Sequence, residues 1–76
     1  MATQPRTFDL VRWKDISGKS GTGVIAQGTQ FRDGQTVVQW CVPDMPRTVQ
    51  VWDSLDDILR VHDHGGTTTV KFHDAA

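Results

Sequence analysis

The stretch Thr22–Val42, TGVIAQGTQFRDGQTVVQWCV, decides the fold. At its centre Asp33-Gly34 lies between two extended segments, and glycine readily takes the positive φ that tight hairpin turns require. On the return side Thr36, Val38 and Trp40 alternate with Val37, Gln39 and Cys41, the two-residue period of a strand with distinct faces. The outgoing side, Thr22–Phe31, reads as a long strand interrupted at Gly28. A bulge or sharp bend is expected there, because glycine weakens a regular strand interior. A long antiparallel hairpin is therefore the centre of the molecule.

The flanks extend this pattern. Upstream, TFDLVRW (7–13) places Phe8 and Leu10 on one face and Val11 and Trp13 on the other. It is joined to the hairpin by the turn formers KDISGKSG (14–21). Downstream, the two prolines of PDMPR (43–47) predict a loop, since proline cannot serve a central strand. TVQVW (48–52) resumes extension; if Val49 and Val51 face the core, Trp52 faces outward. Ser54 is a good N-cap with Asp57 at the capping-box position, and Leu55, Ile58 and Leu59 form a helical stripe that His62 continues. HGG (64–66) ends the helix, with Gly65 or Gly66 supplying a left-handed residue. TTTVKF (67–72) aligns Thr68, Val70 and Phe72 in a last strand. The expected architecture is mainly β (α+β). It is a small, strongly bent antiparallel sheet or an SH3-like barrel of about five strands, with one short helix before the last strand. Residues 1–6 and 74–76 read as tails around a single domain, 7–73.

Composition supports this and excludes several functions. All nine acidic residues are Asp, which favours turns and caps over helix interiors, and nine threonines favour strands. A chain of 76 residues buries only about 60% of its unfolded surface, which leaves no room for both a deep pocket and a lid. The single cysteine, Cys41, excludes an internal disulfide and a four-cysteine zinc site. With no apolar leader or membrane-length run, the expected setting is the cytoplasm. A net charge of −1 counts against broad nucleic-acid binding. SGKSGTG (17–23) contains Gly-Lys-Ser, but a phosphate-binding loop needs glycine where Trp13 stands and a helix where a strand follows. It reads as a flexible connection. Cys41 lies inside a strand beside Trp40 and Val42, where a small thiol is an ordinary core residue. Neither catalytic residues nor a cofactor are expected.

Two constellations remain. His62 and His64, two apart and flanked by Asp63, form a metal-ligand pair to which aspartates could add oxygens, and His73, next to Asp74, joins them if the last strand runs beside the helix end. The structural alternative makes His62 a half-buried stripe residue and His64 a cation at the helix terminus. Three tryptophans are many for so small a core. An outward surface of Arg12, Trp13, Arg47 and Trp52 would have the composition of a protein-binding hot spot. The leading expectation is thus a non-catalytic module that contacts a protein through these four residues. Metal binding by the His-x-His segment and single-strand binding by an aromatic sheet face are the alternatives. Pairing of two copies along an exposed sheet edge is a further expectation.

Arg12, Asp15, SGKSGTG, Ala26, Gly28, Phe31, Asp33-Gly34 and Trp40, then Ser54, His62, His64 and GGTTTVKF (65–72), form one extended pattern. It resembles that of a group of small uncharacterised proteins of actinobacteria, their phages and some other microbial genomes. The likeness runs from Phe8 to Asp74. It departs at Asp63, where glycine is expected between the histidines, and at the proline loop Val42–Arg47. The resemblance carries no activity. It implies a self-contained, phage-encoded protein that contacts a host component.

Overall fold

The computed structural model describes residues 4–14, 22–62 and 66–74. The connection 15–21, with most of SGKSGTG, and His64 and Gly65 lie outside them. The elements are β1 (Arg6–Arg12), β2 (Gly23–Gln30), β3 (Thr36–Trp40), β4 (Val49–Trp52), α1 (Leu55–His62) and β5 (Thr68–Phe72). All five strands pair antiparallel in the order β4-β3-β2-β1-β5. Of the two expected forms, the ladder is therefore that of an open sheet. Among the described residues β4 and β5 are its edges rather than a barrel seam.

The central hairpin forms as its sequence dictates. The Phe31 amide donates to the Gln35 carbonyl at 2.8 Å, and the Gly34 amide to the Phe31 carbonyl at 2.9 Å. Gly34 sits at φ 99°, while Asp33 Oδ1 accepts the Gln35 amide at 3.0 Å. The irregularity in β2 falls elsewhere than expected. Leu10 pairs with Ala26 and Val11 with Val24, so Ile25 is the extra residue of a bulge, and both Ile25 and Ala26 are buried. Gly28 has a different task. It lies opposite Phe8, and a Cβ there would stand 2.5 Å from Phe8 Cζ and 2.6 Å from the Val37 carbonyl oxygen. The Phe8 ring occupies the space that a side chain at 28 would need.

The inner face gathers Phe8, Leu10, Ile25, Ala26 and Val38, and α1 lays Leu55 and Ile58 on it. Ser54 caps the helix as expected: its Oγ accepts the Asp57 amide at 3.2 Å. Acids in the first turn and Arg60 and His62 in the last complement the helix dipole. Thr68, Val70 and Phe72 turn inward together, and the Phe72 ring meets Phe8 edge-on at 5.9 Å. In β4 the observed phase is the reverse of the outward-tryptophan expectation. Trp52 pairs with Thr36, a buried inner-face residue, and packs against the core. Val49 and Val51 are left 60% and 64% exposed on the outer face. An indole hides more apolar surface than a valine, and the helix covers only the inner side.

Just outside the expected limits 7–73, Arg6 and Asp74 are also bonded. Arg6 opens β1, stacks its guanidinium 3.7 Å from the Phe72 ring centroid, and grips Asp74 with bonds of 3.0 to 3.2 Å. The Arg6 hydrogen bonds hold the Asp74 carboxyl below its ordinary value.

Candidate functional site

A cleft of about 730 Å³ opens where the inner face runs past the end of α1. Its volume lies in the range of ligand pockets, about 300–1,000 Å³. Arg12, Ile25, Trp40 and His62 line it, together with the loop from Val42 to Pro46 and Thr48. The loop is held at both ends. The Cys41 amide donates to the Ile25 carbonyl at 2.8 Å, and the Trp40 amide to the Thr48 carbonyl at 3.0 Å. Asp44 turns the chain at φ 62°, a conformation Asp tolerates better than most residues. The two prolines bring apolar surface to the cleft without amides that need partners.

Arg12 has the parity of Phe8 and Leu10, so strand alternation sends its side chain inward, and only 3% of the residue is exposed. Its Nε donates to Thr68 Oγ1 at 3.2 Å and its Nη2 to the His62 carbonyl at 3.2 Å. Both acceptors are neutral. No carboxylate among the described residues pairs with it. Asp44 is the acidic member of the lining and is exposed. Arginine stays protonated in proteins, so the cleft carries a fixed positive charge that is largely withdrawn from water.

The aromatic side of the cleft is equally ordered. Trp40 Nε1 donates to Gln50 Oε1 at 2.8 Å, which fixes the indole, and the His62 ring lies 4.6 Å from it. Trp52 approaches the same imidazole edge-on at 5.8 Å. His62 is thus the half-buried stripe residue of the structural alternative.

The four residues expected to form one outward surface are not gathered into one. Arg12 is buried and lines the cleft, which corrects its placement outside. Trp13 is 67% exposed, its amide bonded to the Thr67 carbonyl at 2.7 Å. Arg47 is exposed and points Nη1 at Cys41 Sγ, 3.6 Å away. Trp52 faces the core, and its Nε1 is sealed without a hydrogen-bond partner among the described residues. A sealed, unpaired donor costs about 1–3 kcal/mol. Trp52→Phe removes the donor along with some ring area, so the unfolding free energy should change by less than about 1 kcal/mol. Urea denaturation checks this, and a loss above about 2 kcal/mol would show that the indole nitrogen is paired.

Nor are the two described histidines brought together. His62 faces the cleft, whereas His73 bonds Thr7 Oγ1 at 2.7 Å and Asp9 Oδ1 at 2.9 Å. Thr7 and Asp9 alternate with Phe8 and so belong to the outer face. Among the described residues no three metal-ligating side chains converge. The order Thr7–His73–Asp9 is that of nucleophile, base and orienting carboxylate, yet Thr7 and His73 lie exposed on an open sheet face where water is not excluded. Its visible role is to fasten the end of β5 to β1, where the His73 amide also donates to the Thr7 carbonyl at 3.0 Å.

Trp40, Ile25 and the lining residues Val42–Pro46 and Thr48 were the parts of the cleft without a functional signal in the sequence. Arg12 had one: its parity with Phe8 and Leu10.

Among the described residues no helix is long and apolar enough to cross a membrane. A family model described as Acb5 phage protein matches residues 5–74, nearly the whole chain. No curated protein and no solved structure matches it.

Proposed function

We propose, since the chain belongs to the Acb5 phage protein family, that it is a non-catalytic binding module that holds a segment of a partner protein in the cleft beside α1. A host protein in the host cytoplasm is the partner this reading assigns. The observation that carries it is the buried Arg12, which opens into an apolar cleft and has no carboxylate partner among the described residues. Keeping a cation out of water with no counter-ion among the described residues costs a fold stability. A 76-residue domain has little stability to spare. Such a group is more economically explained by what it recognises than by what it supports. The cleft combines a fixed charge, an oriented indole and apolar walls, the features of an interface centre.

The other readings draw less support. Base stacking needs aromatics on an open face. The groove on the outer face is lined by Thr7, Gln27, Gly28, Thr29, Val37, Gln39, Val49 and His73, and among these described residues the imidazole is the only ring. Of the histidines proposed as metal ligands, His62 and His73 lie on opposite faces of the sheet, and His64 lies outside the described residues.

The test uses two substitutions at similarly exposed apolar positions. Met45 is 62% exposed in the cleft lining, and Val49 is 60% exposed on the outer face. Capture of host proteins on immobilised protein should be lost with Met45→Asp and retained with Val49→Asp. The reverse pattern would overturn the reading and move the contact to the β4 edge.

A further inference from the structure

Resting on the binding-module reading, we infer that the cleft receives the carboxyl terminus of a partner chain whose last residue is apolar, with the terminal carboxylate on Arg12. The guanidinium is already oriented. Thr68 Oγ1 takes Nε and the His62 carbonyl takes Nη2, and Nη1 makes no hydrogen bond to a described residue. A planar fork held in place by two neutral acceptors matches a carboxylate and loses little freedom when one arrives.

Charge and shape narrow the ligand further. Among the described residues Arg12 is the one Lys or Arg in the lining, and the acidic Asp44 stands on the surrounding loop. One cation suits a singly charged anion, and an exposed carboxylate disfavours phosphates and polyanions. Beside Arg12 the walls are Ile25 and Trp40, with Val42, Pro43 and Met45 on the facing loop. A group that reaches the guanidinium must therefore carry apolar surface immediately next to its charge. The last residue of a chain does so, because its side chain and its carboxylate leave the same carbon. An acidic side chain within a chain places its backbone, with polar groups that need partners, against those apolar walls.

The probes are N-acetyl-phenylalanine, N-acetyl-phenylalanine amide, N-acetyl-glutamyl-phenylalanine amide and inorganic phosphate. Each is titrated into the full chain while the Arg12 Nε–H and Trp40 Nε1–H resonances are followed. The free acid should shift both resonances saturably, and the amide should bind about tenfold or more weakly, the loss expected for a charge-assisted hydrogen bond. Equal binding of acid and amide would overturn the inference. So would tighter binding of phosphate, or of the peptide that carries its carboxylate on the glutamyl side chain.

Arg12→Met keeps the volume, and Thr68 Oγ1 already donates to the His62 carbonyl at 3.3 Å, so the groups left behind retain each other. Replacing a buried charge by an apolar chain of similar size leaves folding intact or improves it. This variant should therefore fold and lose discrimination between acid and amide, and Arg12→Lys should fold and recover it only in part. Partner capture that survives both Arg12→Met and excess free acid would end this inference and leave the module reading standing. If the wild type captures nothing, the module reading fails, and the probe titrations still decide whether Arg12 takes a terminal carboxylate.

Discussion

Gly28→Ala should remove a large part of the protein's stability and sharply lower its thermal midpoint. The added methyl would meet Phe8 Cζ at 2.5 Å and the Val37 carbonyl oxygen at 2.6 Å, far inside contact distance. Neither neighbour can retreat. Phe8 is fully buried within the core, and the Val37 carbonyl belongs to the backbone of the central hairpin. Overpacking of this severity costs about 3 kcal/mol or more, against a total of roughly 4–11 kcal/mol for a domain of this length. The thermal midpoint should fall by more than about 12 °C, and combining the change with Phe8→Leu should recover part of it. A midpoint within about 5 °C of wild type would mean that the Phe8 ring does not lie across Gly28.

The second large effect is at Ile58. It is fully buried, and with Leu55 it is what seats α1 on the sheet. Ile58→Ala removes three carbons from a site that neighbouring strands cannot collapse to fill, a loss of about 2–5 kcal/mol. Ile58→Val should cost only about 0.5–1.5 kcal/mol. The consequence reaches function, because His62 is on the same helix and forms one wall of the cleft. Denaturation midpoints for both variants give the ratio. An alanine variant that loses less than about 1 kcal/mol would show that the helix is held by something other than this contact.

Much of the architecture was legible in local chemistry. Asp33-Gly34 dictates its turn, Ser54 its cap, and the alternation of Thr36, Val38 and Trp40 their shared inner face, because each depends on residues within a few positions. What was not legible depends on partners far along the chain. Gly28 signals an irregular strand, but only the Phe8↔Gly28 register gives it the task of accommodating a ring. The bulge falls at Ile25, where nothing in VIAQ marks it. In β4 the sequence offers two phases of opposite sense. The pairing of Trp52 with Thr36 selects the one that exposes two valines.

The cleft was harder to read for the same reason. Arg12 finds its partners at Thr68 and His62, 56 and 50 positions away, and a charged residue in a strand is by default placed outside. Its parity with Phe8 and Leu10 argued otherwise. The proline loop, which departs from the resembling pattern, supplies the facing wall, and its composition alone marks it only as a break between strands.

The three indole Nε1–H resonances give the most direct test, since the tryptophans occupy three distinct environments. Trp40 lines the cleft, Trp13 is exposed beyond β1, and Trp52 faces the core with its nitrogen sealed. On addition of the partner recovered from the host, the Trp40 resonance should move while those of Trp13 and Trp52 hold their positions. Movement of Trp13 and Trp52 with Trp40 unchanged would contradict the cleft as the binding site.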